Sequence, residues 1–364
     1  MKFKHFILLV IGACSIAFLI RGAWPCSVPV FRYALERWKP EPYKGIVIYR
    51  NEITQGDEAL FRQLEQAASN PECPLNLLVR KVEIASFSEA KLKELLKGPI
   101  PKKLPALAIW YPDKMGRTAP SWILEFNPSI VKAFADSPKR RFLAKSLIDG
   151  ESVVWIFVPS GDSEKDEKAK ALIRQELDLA LSSLKKMPFY ILAGSKEKRL
   201  TYAFPILTLS RTDPEERFFL DMLLKCESDL YEHPDEPMVF PVFGRGRVLG
   251  CLFGKYISQD KIEGIIAYLA GSCSCEVKAL NPGTDLLVAA PWDEVVINSY
   301  VEDTPLPELT GVMPDTPAKK QSAQDFEGSR GSKRIFANYG ITLGSAVVVV
   351  LFASLVLTHR RRKD

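Results

Sequence analysis

The sequence predicts an α/β fold built as two similar halves, followed by a hydrophobic segment long enough to cross a bilayer. Three observations carry this. Short β-branched apolar runs alternate with helical stretches along residues 45–275. Each half closes with a proline-led strand, a tight turn, a second strand and a helix. Residues 335–358 then run without a charge.

In the first half, residues 45–49 are a β-branched strand. Residues 57–69 follow with Leu60, Phe61, Leu64 and Ala68 on one helical face. Residues 77–84 read as a second strand. Residues 88–97 read as a helix that Ser88 caps and Gly98 ends. Pro105 leads into a strand at 106–111, a turn at 112–116 and a strand at 121–126. A helical region at 128–148 has a candidate break at Pro138. The second half repeats the order: strand 152–158, helix 164–186, strand 202–209, and a helix from Asp213-Pro214 to Cys226. Pro237 then leads into strand 238–243, the turn Gly244-Arg245-Gly246-Arg247, strand 248–253 and helix 258–269.

The order strand–helix–strand–helix–hairpin–helix, with Pro105 in Leu104-Pro105-Ala106 and Pro237 in Glu236-Pro237-Met238, resembles the thioredoxin-like family. That family places a cis-proline before its third strand. The resemblance implies two thioredoxin-like βαβαββα domains in tandem, at residues 45–150 and 151–300, the second extended by a Cys-Ser-Cys segment. It also implies a reactive dithiol between the first strand and first helix, where a helix N-terminus lowers a thiol pKa. The matching places here are Arg50–Gly56 and Pro159–Asp162, and neither holds a cysteine. Dithiol exchange at the usual site is therefore excluded.

The ends address the chain to a membrane. Lys2 and Lys4 precede an apolar run at 6–20, the form of a secretory signal over residues 1–22. Cleavage between Gly22 and Ala23 is the expectation. Retention as an N-terminal anchor, or lipidation at Cys14, are the alternatives. Residues 23–44 form a cap segment, in which 26–38 reads as a short helix covering the first domain. Residues 301–333 are rich in Pro, Gly, Ser and charge, a flexible linker. Residues 334–358 are the spanning helix, and the basic tail 359–364 is held on the cytoplasmic side. The body is then extracytoplasmic, at the cell membrane.

The 364 residues are 47% hydrophobic and 26% charged, with a net charge of +5 that sits partly in the two ends. That composition builds real cores and gives no nucleic-acid surface. Among three histidines, His233 alone lies in the body, in a polar loop, so a His-based zinc site or triad has little to draw on. Arg245 and Arg247 sit between two strands, not before a helix, so they form no phosphate loop. An acidic surface is the remaining partner they could take. Asp162, Glu164, Asp166 and Glu167 read as charges that favour a helix start. No cofactor, metal or catalytic residue is expected.

Cysteines carry the remaining chemistry. Cys26, Cys73, Cys226, Cys251, Cys273 and Cys275 are candidates for structural disulfides in an oxidising compartment. Six cysteines allow fifteen pairings. Cys251 with Cys273 or Cys275, a second bridge using Cys226, and Cys26 with Cys73 are the pairings considered. Residues 286–290, after the turn segment Asn281-Pro282-Gly283-Thr284-Asp285, are expected to pack back on the second domain. The expected function is a redox-inactive docking module for an envelope or membrane-complex partner; peptide binding by the open edge of either sheet is a separate, third reading. The alternative is a thiol–disulfide or Cu(I)-handling protein built on Cys273 and Cys275, with Cys251, Cys226 or Met222 as further donors.

Overall fold

Seven residues from Tyr43 to Tyr49 (β1) carry alternating apolar side chains to two sides of a sheet, and the fold is built outward from them. The computed structural model describes residues 28–186, 190–193, 196–199, 202–273 and 277–294. The signal and linker segments, the apolar stretch 335–358, Cys14, Cys26 and Cys275 lie outside the described residues. Among the described residues no helix is long and apolar enough to cross a membrane.

Helix α1 (Val30–Arg37) precedes β1. Then come α2 (Gln55–Ser69), β2 (Leu77–Glu83), α3 (Glu89–Leu96), β3 (Ala106–Trp110), β4 (Trp122–Glu125), α4 (Pro128–Ala135) and α5 (Pro138–Ile148). Local chemistry sets these ends. Thr54, Ser88, Asn127 and Ser137 each accept an amide hydrogen bond as N-caps, and Pro128 and Pro138 open α4 and α5. The break at Pro138 is thus a helix–helix boundary. The sheet runs β2-β1-β3-β4, with β1 parallel to β2 and antiparallel to β3. Parallel β1 and β2 need the α2 crossover, whereas β3 and β4 close as a hairpin.

The second half holds β5 (Val153–Val158), α6 (Ser163–Lys186), β8 (Ile206–Thr208), α7 (Arg217–Leu224), β9 (Met238–Phe243), β10 (Arg247–Val248), β11 (Leu252–Phe253), α8 (Gln259–Ala270) and β12 (Thr284–Asp285). Its path is β12-β10-β9-β5-β8, with β11 also paired to β9. A separate two-stranded ribbon, β6 (Tyr190–Ala193) with β7 (Lys196–Arg199), falls where the sequence pattern suggested only a connection. The expected strand 248–253 is two short strands, because Pro241 of β9 accepts Leu249 N–H at 3.0 Å but has no N–H to return. Asp213 caps a 3-10 turn at Pro214–Glu216 before α7 begins. Leu104–Pro105 is a cis peptide; Glu236–Pro237 is trans, correcting the parallel between the two hairpins.

Both faces of β5 are buried, which explains its unbroken apolar run. Trp155 and Phe157 face α1, α6 and α8, while Val154 and Ile156 face a core shared with the first half through Val47, Leu107 and Phe134. A third, smaller cluster packs α3 on the other face of the first sheet, through Ile48, Leu92 and Trp110.

Two expectations about the flanking segments are corrected. Helix α1 covers the second half, not the first. Its N-terminal end pairs with the end of α8, through Val30 N–H to Gly271 O at 3.0 Å and Cys273 N–H to Val28 O at 2.9 Å. Its C-terminal end meets the turn after β9. Gly244 has φ +58°, and a Cβ there would lie 2.7 Å from Ala34 Cβ, so both conformation and space require glycine. The apolar run after β12 does not pack on the second half alone. Leu286, Leu287, Val288 and Ala290 enter the shared core. Ala289 bridges to Leu75, and Asn76 takes Val288 N–H at 2.9 Å.

The arginines of the turn are consumed by this stitching, which removes the acidic-surface reading. Arg245 is buried and donates to the C-terminal carbonyls of α1, Leu35 O at 2.8 Å and Glu36 O at 3.3 Å. Arg247 donates to Asp285 at 2.9 Å and to the carbonyls of Pro282 and Asn281, each at 3.0 Å.

Candidate functional site

The position where the resemblance places a dithiol is a small cavity of about 340 Å³ at the end of β1. Arg50, Glu52, Thr54 and Asp57 line it on one side, and Lys102 and Pro105 on the other. Thr54 Oγ1 accepts Asp57 N–H at 3.1 Å and donates to Asp57 Oδ2 at 2.7 Å. The hydroxyl is therefore occupied by capping, and no thiol stands beside it. In the second half, Asp166 Oδ1 takes Ser160 N–H at 2.6 Å and the Ser160 hydroxyl at 2.8 Å. Both helix starts are satisfied by their own side chains.

A larger apolar groove of about 700 Å³ lies on the first sheet beside α3, whose Leu95 lines it. Its floor is Gly45 and Ile46 of β1, Leu78 and Arg80 of β2, and Trp110 of β3. Leu78 is 59% exposed, the second most exposed of the large apolar side chains. Among the described strands β2 pairs with β1 alone, so its outer edge is open. Lys44, Arg80 and Arg117 stand at the rim, with Asp113 taking Lys44 at 2.6 Å.

The structure sorts the cysteines onto different surfaces. Cys273 is buried in the cluster that α1 and α8 make on one side of the second sheet. Cys251 and Cys226 pack against the shared core on the other side. Cys251 is thus brought to Cys226 and not to Cys273. Cys73 sits half-buried in the turn before β2, and its proposed partner Cys26 lies outside the described residues. Among the described residues no group of three His, Cys, Asp or Glu side chains is placed to hold a metal. Met222, a further donor in the Cu(I) reading, is buried with its sulfur taking Leu287 N–H at 3.2 Å. His233 stacks on Phe253 at 4.4 Å.

Burial dominates the thiol chemistry. It pushes Cys226 up to about 12 and Cys251 well above the ordinary thiol value, so both stay protonated at neutral pH. Neither is an activated nucleophile. Glu227, beside Cys226, accepts Cys251 N–H at 2.8 Å. Burial raises its pKa against the lowering effect of that hydrogen bond. The folded state therefore holds this proton to higher pH than the unfolded chain. The associated stability is present below the ordinary carboxylate value of 4.5 and is lost as pH rises through the folded value. Glu227→Gln keeps the acceptor oxygen and removes the titration. Its thermal midpoint is expected to fall less steeply than the parent's between pH 4.5 and neutrality. Identical slopes in a pH series of melting curves would refute this.

Element order and sheet path define a mixed α/β protein, and its structural neighbours are thioredoxin-like. Human ERp44 in its zinc-bound form is similar over 66% of this chain and 58% of its own, at 8% identity and a TM-score of 0.20. The chain thus spans a little over half the length of that protein. The first two thioredoxin domains of Naumovozyma dairenensis Eps1p are similar over 61% of this chain and 87% of theirs, at 9% identity and a TM-score of 0.17. No protein-family model and no curated protein sequence matches the chain.

Sequence reasoning missed the groove. Its signal is faint: Leu78 is an apolar residue on the solvent face of a strand whose edge position depends on sheet order.

Proposed function

We propose that the protein is a membrane-anchored, extracytoplasmic docking module made of two redox-inactive thioredoxin-like domains. The apolar segment 335–358 and the N-terminal signal support the anchoring and the orientation. The absence of cysteine at Arg50–Gly56 and Pro159–Asp162 supports a role other than dithiol exchange.

One observation carries the docking role. The open edge of β2 lies beside an apolar groove in which Leu78 is exposed. An extended segment of an envelope or membrane-complex partner would add to that edge through its backbone and place alternate apolar side chains in the groove. Arg80, exposed beside the groove, favours an acidic residue flanking those side chains, whereas Lys44 is already matched by Asp113 and Arg117 by the carbonyl of Lys225.

The test is photo-crosslinking in cells from position 78 of the full chain, with exposed Glu164 on α6 as the control position. Crosslinks from 78 should map to one extended acidic–apolar segment of one membrane or envelope protein. Leu78→Glu should weaken binding of a peptide of that segment at least tenfold, about 1.4 kcal/mol. Its melting midpoint should stay near the parent's, because Leu78 is exposed. Equal binding by the Leu78→Glu protein, or the same crosslinks from both positions, would remove the groove from the reading.

A further inference from the structure

Two cysteines far apart in the chain, both free thiols in this structure, come to one wall of the shared core. Cys226 lies two residues past the end of α7, in a turn closed by its own N–H to Leu223 O at 3.0 Å. Cys251 lies where the last hairpin leaves its ladder, between β10 and β11. Glu227 joins them. Its carboxylate, one residue after Cys226, takes the amide of Cys251 at 2.8 Å. Gly250 leaves room for the approach, since a Cβ there would already be 3.4 Å from that same oxygen. Both side chains pack against one apolar cluster; the Cys226 sulfur contacts Met222 O at 3.4 Å and the Tyr111 hydroxyl, and the Cys251 sulfur contacts Leu252 O at 3.6 Å and the backbone of Val239. The Cys251 sulfur also feels the charge that Cys226 would carry.

We propose that Cys226 and Cys251 form a disulfide that ties the end of α7 to the break in the last hairpin. The geometry favours this pairing over those with Cys73 or Cys273, which lie on other surfaces.

The chemistry needs an oxidant, and a small-molecule disulfide such as oxidised glutathione suffices. The Cys226 thiolate attacks one sulfur of that disulfide and releases one glutathione thiolate. The Cys251 thiolate then attacks the Cys226 sulfur of the mixed disulfide and releases the second glutathione. The protein loses two hydrogens and the oxidant gains them. Burial keeps both thiols protonated once the core has formed, so closure belongs to the folding chain and is slow in the finished fold.

The test refolds the full chain in detergent with reduced and oxidised glutathione, blocks remaining thiols by alkylation, and maps the digest by mass. A reducible pair of peptides joining Cys226 to Cys251 is expected. Reduction should lower the melting midpoint by roughly 6–12 °C. The doubly substituted Cys226→Ser/Cys251→Ser protein should show no such reduction-linked shift from this bridge. Recovery of both cysteines alkylated, or either one joined to a different cysteine, overturns the proposal. Should the double variant fail to fold, the mass map of the unsubstituted chain still decides. Loss of groove binding in the reduced protein is not required, so failure here leaves the docking role standing.

Discussion

Replacing Arg140 with methionine is expected to cost about 3–5 kcal/mol of stability, the size associated with breaking a buried polar network. The guanidinium is 1% exposed and has no carboxylate in direct contact. It donates instead to the last carbonyls of α4, Phe134 O at 2.9 Å and Ala133 O at 2.5 Å. It also reaches Ser137 Oγ at 3.1 Å and Leu287 O at 3.3 Å. One cation thus caps a helix C-terminus and fastens the segment after β12 to it. Methionine fills the volume but leaves those carbonyls buried without donors. Ser137 is meanwhile held by Glu216 at 2.7 Å, so it cannot turn to serve them. Lysine, which keeps a charge and fewer donors, should recover part of the loss. Denaturant titration of the two variants checks this; a methionine variant within 1 kcal/mol of the parent would show that the network carries little.

Asp285→Ala is expected to cost a similar ~3–5 kcal/mol, for a different reason. Asp285 is 3% exposed and meets Arg247 at 2.9 Å, the amide of Glu41 at 2.7 Å, and the ammonium of Lys278. Arg247 is itself 2% exposed. Removing the carboxylate leaves a buried guanidinium with carbonyl partners only. The charge then lacks its counter-ion where water cannot reach it. The double variant Arg247→Met/Asp285→Ala removes both charges, so it should cost at least 1 kcal/mol less than the sum of Arg247→Met and Asp285→Ala. A double-mutant cycle in urea reads this directly. Additive costs would mean that the two residues are stabilised by the backbone and not by each other.

Both predictions concern how the segment after β12 is held, and that is where reading by pattern went furthest astray. Residues 286–290 are an apolar run, and hydrophobicity alone says that they are buried. Which surface buries them depends on Arg140, Asn76 and Leu75, residues more than a hundred positions earlier. The same holds for α1. Its amphipathic pattern announces a helix that covers something, and the covered surface is Trp155, Phe243 and Gly244 of the second half. The side of the sheet that Cys251 takes was equally hidden, since sequence distance says nothing about which face a side chain takes. By contrast, that no cysteine stands between the first strand and first helix of either half was legible outright, because it needs only the identity of the residues there.

Local chemistry in the sequence determined the elements: apolar periodicity, N-capping side chains and prolines placed strands and helices in the order βαβαββα, and glycines placed the turn after β9. These act over a few residues, through backbone conformation and nearby hydrogen bonds, so neighbours in the chain suffice to define them. Tertiary structure alone decided that two halves share one core, that the arginines of a turn are buried latches, and that β2 is an open edge beside a groove. Those outcomes come from non-local burial, in which every apolar face and every buried charge must find its partner elsewhere in the chain.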